Sequence, residues 1–164
     1  MKTERNGFRM LRREQLLQEL VHDSYKVARK LAEPTQCLEC GAVFHKGRWT
    51  WDVAPVDARN HRCPACSRIH DRYPAGYVTL KGEFLQGHRD EILSLVRKCE
   101  TSEKAEHPLE RIMGIDAVDA GVEVTTTGTH LAREIAERVH HAYKGELEFS
   151  YNRDDNLLRA AWRR

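Results

Sequence analysis

The chain has 164 residues, 40% hydrophobic and 32% charged, with a formal net charge of +2 and five cysteines. That length suits one main core with a smaller stapled module better than two large cores. No apolar run approaches a membrane span, and the charged opening Met1-Lys2-Thr3-Glu4-Arg5 argues against a secretory signal, while cysteines arranged for metal, with one left over, suit a reducing cytoplasm.

Charge divides the chain. Residues 1–76 carry 14 Lys/Arg against 9 Asp/Glu, and residues 77–164 carry 13 against 16. The front half is the expected place to meet a polyanion.

In chain order, residues 8–32 have helical spacing, with Leu17, Leu20, Val21, Ala28 and Leu31 on one stripe. Arg9, Arg12, Arg13, Arg29 and Lys30 lie largely off it, and Pro34 ends it. Residues 1–34 are thus expected to form an N-terminal amphipathic basic helix. It either packs its stripe on the body of the protein or docks on nucleic acid or a partner.

Residues 35–76 hold two paired motifs, Cys37-Leu38-Glu39-Cys40-Gly41 and Cys63-Pro64-Ala65-Cys66. Two residues between thiolates let a tight turn aim both sulfurs at one ion. Gly41 follows the first pair, where a left-handed backbone is often needed. The pattern predicts a four-cysteine zinc ribbon with one structural zinc held by Cys37, Cys40, Cys63 and Cys66, against two disulfides or a redox pair as the alternatives. Between the pairs runs Phe44-His45-Lys46-Gly47-Arg48-Trp49-Thr50-Trp51. Such a run can stack on bases and meet phosphates, yet a small module also needs aromatics to cover its metal. One tryptophan is expected in the core and one on the surface. Arg68, His70 and Arg72 alternate, so an extended chain would put them on one face. Pro74 and Gly76 then turn the chain onward.

Residues 77–164 give a β-α-β-β-α-β order with one further strand. Tyr77–Phe84 is a strand with Val78 and Leu80 inward. Residues 88–104 form a helix with Ile92, Leu95, Val96 and Cys99 on one stripe. Leu109–Val118 and Val122–Thr127 pair about the turn Asp119-Ala120-Gly121. Thr129–Tyr143 is a helix, stopped by Gly145. Glu146–Tyr151 and Leu157–Trp162 are strands joined by a turn at Asn152–Asn156. The predicted class is α+β, with a ferredoxin-like domain at 77–164 and an appended C-terminal strand. Its outward positions are Thr79, Lys81, Glu83, Glu123, Thr125, Thr127, Glu146, Glu148 and Ser150, polar and without an aromatic, which disfavours base stacking on the sheet.

Convergent reactive groups are scarce. Cys99 sits on an apolar stripe and suits a buried hydrophobe. His140 and His141 point about 100° apart on a helix, poor geometry for sharing a metal. Glu106, His107 and Glu110 cluster at a turn, where ending a helix is the better reading than acid–base work. No Walker motif, dinucleotide fingerprint or nucleophile elbow is present, so no catalytic residue is assigned.

The cysteine pairs, with Gly47-Arg48-Trp49-Thr50-Trp51, Tyr73-Pro74-Ala75-Gly76, His107-Pro108-Leu109-Glu110-Arg111, Thr126-Thr127 and His130-Leu131-Ala132, resemble a family of small bacterial zinc-ribbon proteins over nearly the whole chain. Paired knuckles before an α/β domain are also distantly similar to the amino-terminal part of the archaeal and eukaryotic nonsense-mediated-decay-protein-three family, an adaptor of the large ribosomal subunit. That resemblance implies zinc ligation by the four paired cysteines and no catalysis.

The expected function is binding of the ribosome or structured RNA, in a stress-related, hibernation-type setting. The expected surface is Arg12, Arg13, Lys46, Arg48, Trp49, Arg68 and Arg72, with no membrane and no small-molecule substrate. A protein-interaction adaptor is the alternative, and a hydrolase or nucleotide-binding enzyme is the third reading.

Overall fold

In the computed structural model of the protein, the residues described are 9–11, 25 and 30–164. The main body is a six-stranded mixed sheet under two helices, and a four-stranded sheet belongs to the cysteine module.

The main sheet comprises β1 (Arg9–Leu11), β6 (Gly76–Lys81), β7 (Ile112–Val118), β8 (Gly121–Thr126), β9 (Glu146–Asn152) and β10 (Leu157–Arg163), in the order β1-β9-β10-β6-β8-β7. Alternation sets its two faces. Val78 and Leu80, Val122 and Val124, Phe149, and Leu158, Ala160 and Trp162 all point to one side. Helices α2 (Glu83–Glu106) and α3 (Thr129–Tyr143) cover that side with Leu85, Ile92, Val96, Cys99, Leu131, Ile135 and Val139.

The structure corrects the expected plan in three places. First, Arg9–Leu11 is not helical: it pairs antiparallel with β9, Met10 opposite Ser150, and residues 30–34 have no helical backbone either. Apart from Tyr25, which lies in a turn, the rest of the predicted helix, including Arg12 and Arg13, lies outside the described residues. Second, the C-terminal strand is not appended at an edge. β10 runs parallel to β6 and antiparallel to β9, in the place where a ferredoxin-like sheet would seat β9 beside β6. Small Ala160 and Ala161 lie at the centre of this strand between its neighbours. Third, the open face does carry an aromatic. Tyr77 lies opposite Arg159, whose guanidinium sits 4.3 Å over the ring. Glu83 opens α2 and Thr127 is buried, so neither belongs to that face.

Helix α2 begins five residues before the predicted start because it contains a break. His88 is non-helical (φ −129°, ψ 20°), its ring stacked 3.9 Å from Phe84. Cys99 is fully buried in the core, and burial pushes its thiol pKa up. Cys99→Ser is expected to cost about 1–3 kcal/mol by leaving a hydroxyl unsatisfied. Equilibrium urea unfolding measures the loss, and the native Cys99 thiol should label slowly.

Candidate metal centre

The cysteine module is built on short pieces. β2 (Thr35–Gln36), β3 (Val43–His45), β4 (Arg48–Thr50) and β5 (Arg59–Asn60) form a sheet in the order β4-β3-β2-β5. The β3–β4 hairpin turns through Lys46 and Gly47 at φ 51° and 77°, the two positive dihedrals that a type I′ turn requires. Glu33 steadies this tip by accepting the backbone N–H groups of Lys46 and Gly47 at 2.8 and 3.1 Å.

The first cysteine pair precedes the hairpin. Gly41, at φ 81°, lets its N–H return to the Cys37 carbonyl at 2.8 Å, so Cys37 and Cys40 converge. The second pair departs from the two-knuckle expectation. Cys63 caps α1 (Pro64–Asp71), and its sulfur accepts the Cys66 N–H at 3.3 Å, with Pro64 in the first turn. Cys63-Pro64 is a helix-start signal legible in the sequence: proline suits a position whose N–H has no helical partner.

The four ligand sulfurs lie within 4.8 Å of one another, with Cys40 and Cys63 Sγ 3.8 Å apart. A tetrahedral ion at about 2.3 Å from each sulfur separates neighbouring sulfurs by about 3.8 Å. All five cysteines are free thiols rather than disulfides. The donor set fits a single structural zinc, with four soft ligands and no open position for substrate. Burial works to raise the Cys37 thiol, but backbone N–H groups of Cys63, Cys40 and Glu39 outweigh it and bring it to about 7. Burial pushes the Cys63 and Cys66 thiols up. Loading a metal must therefore expel protons.

One residue at the centre escaped the sequence reading. Arg111, only 7% exposed, leaves the turn before β7 and reaches into the cluster. Its two terminal nitrogens donate to the sulfurs of Cys66 at 3.3 Å and of Cys40 and Cys63 at 3.2 Å. Nε donates to the Pro108 carbonyl at 2.8 Å. Its backbone is pinned to Thr127 in both directions, each at 2.9 Å. Burial opposes the charge, but the thiols of Cys66, Cys40 and Cys63 raise its pKa further above the usual arginine value. Leu109, two residues earlier, packs on the same cluster.

The predicted binding residues scatter. Lys46, Arg48 and Arg72 are exposed. Trp49 is half-buried, packed on the cysteine cluster and 5.5 Å from the Phe44 ring, so its role is cover for the metal site. Trp51 is the surface tryptophan, though its indole N–H donates to the Lys104 carbonyl at 2.6 Å, tying the module to α2.

Arg68 is a correction. Residues 64–71 are helical, so Arg68, His70 and Arg72 do not share a strand face. Arg68 is 1% exposed. Its guanidinium lies 4.4 Å over Tyr25 and donates to the Tyr73 carbonyl at 3.0 Å, leaving no approach for a phosphate.

The turn at 106–110 is occupied structurally. His107 caps α2, and Glu110 accepts the Leu131 N–H at 3.0 Å. This caps α3 at the end where a carboxylate is favoured. His130 pairs with Glu103 at 3.1 Å, its ring edge-on to His107 at 6.4 Å.

No family model, curated protein or solved structure matches this chain. Among the described residues, no helix is long and apolar enough to cross a membrane.

Proposed function

We propose that this protein is a cytoplasmic binding factor for structured RNA, with the ribosome as its setting, and that the metal-stapled module presents the contact surface. The observation that carries this reading is the set of exposed cations on that module. Lys46 lies in the hairpin tip and Arg48 directly follows it, and Arg59 and Arg72 are exposed on β5 and at the end of α1. Among the described residues none of the four is held in an ion pair, whereas Arg62 is paired with Glu39 at 2.5 Å. Metal ligation spends all four cysteines on the fold, so the module acts as a rigid platform for these side chains. The sequence resemblance to the ribosomal adaptor family supports the same reading, and a stress-related, hibernation-type setting is part of the proposal. A ferredoxin-like plan for the sheet, with β10 inserted between β9 and β6, is also part of the proposal.

Exposed apolar residues favour a second reading, a protein-interaction adaptor. Leu38, Val53 and Val56 are 70%, 94% and 108% exposed on the same module, apolar side chains of the kind a protein partner would cover.

Salt separates the two. Lys46→Ala, Arg48→Ala and Arg72→Ala should each weaken binding to ribosomal RNA and lower its log–log salt slope by about one unit, because each phosphate contact releases about one counterion. Fluorescence anisotropy across a salt series measures this. Binding that ignores these changes and fails on Val53→Asp or Val56→Asp would replace the RNA reading with the adaptor.

A further inference from the structure

We infer that the metal centre is built by both parts of the chain, and that Arg111 is its positioning residue. The four sulfurs come from residues 37–66, but the cation against them comes from the turn between α2 and β7. A tetrathiolate around a divalent ion carries two net negative charges, which a buried site must offset. Among the described residues, Arg111 is the cation bonded to those sulfurs, and it reaches Cys40, Cys63 and Cys66 together. Arginine suits this place because its planar fork holds several fixed donors, where a lysine offers one point charge.

Arg111 is also held from behind. The Pro108 carbonyl fixes Nε, and Thr127, just past β8, fixes the backbone. The sulfurs are thus tied through one side chain to the edge of the main sheet. Groups outside the ligand shell that hydrogen-bond to ligands orient them and tune the metal. Metal retention should therefore depend on a residue outside the cysteine module. Conversely, loading the metal should fix the module against the sheet.

The test compares zinc-loaded wild type with Arg111→Gln, Arg111→Lys and Trp51→Phe. The rate of zinc transfer to excess chromogenic chelator is measured, together with the sulfur-to-metal charge-transfer band of the cobalt-substituted proteins. Arg111→Gln should raise the apparent zinc dissociation constant about 10–100-fold, speed release and shift the cobalt band. Arg111→Lys should fall between Gln and wild type. Trp51→Phe removes a second cross-link, the bond to Lys104, without touching a sulfur, and should leave both readouts unchanged. If Arg111→Gln does not fold, Arg111→Lys carries the test through the same two readouts. Wild-type release and spectrum in a folded Arg111 variant would overturn the inference. So would equal acceleration by Trp51→Phe, since docking alone would then retain the metal.

Discussion

Cys63→Ser is expected to abolish stoichiometric zinc and unfold the module spanning residues 35–73 while the main sheet stays folded. Cys63 serves twice, as a ligand and as the cap of α1. The module has little else to hold it: besides the cysteines, Ala42, Val43 and Ala65 are its buried apolar residues. Metal binding energy is then largely folding energy, about 10–16 kcal/mol in comparable four-ligand peptides. The main core is a separate cluster of aliphatic and aromatic side chains and needs no metal. Elemental analysis should find one zinc in wild type and none in the variant. Thermal unfolding followed by circular dichroism should keep a cooperative transition for the main body. A zinc-loaded Cys63→Ser protein, or global unfolding, would contradict this division.

Trp162→Ala should be the most damaging change in the main body. Trp162 is 1% exposed and lies opposite Leu80 on one neighbouring strand and Leu147 on the other. Its indole N–H donates to the Lys144 carbonyl at 2.6 Å, closing the end of α3. Truncation leaves a cavity and removes that donor, at a cost of about 3–5 kcal/mol. Trp162→Phe keeps most of the apolar volume and loses the bond, so it should cost less. Urea unfolding of both variants measures the difference. Equal stability of Trp162→Ala and wild type would mean that β10 is not the central strand described here.

Local pattern carried much of the sheet and the metal ligands. The alternation at Val78 and Leu80 places β6, and the stripe Leu131, Ile135, Val139 places α3 at Thr129–Tyr143 as expected. The paired cysteines were legible because a tight turn has to set two sulfurs on one ion. What stayed hidden depends on distant partners. β1 is three residues long, and β9, its partner, lies at the far end of the chain. The insertion of β10 is a choice of neighbour, and an apolar alternation such as Leu158, Ala160, Trp162 suits an edge or a centre alike. Arg111 sits in an ordinary polar turn, and the sulfurs it reaches lie 45 to 71 positions earlier. Arg68 was misplaced because its alternation with His70 and Arg72 suits a strand, while Cys63-Pro64 had already started a helix.

Sucrose-gradient fractionation of a lysate from the source organism, probed for this protein, tests the proposed function most directly. Zinc-loaded protein should travel with a ribosomal fraction at low salt. It should move to the top of the gradient at high salt, or when Lys46, Arg48 and Arg72 are all replaced by alanine. Protein that stays at the top at low salt with its zinc in place, or that remains ribosome-bound after loss of those three cations, would contradict it.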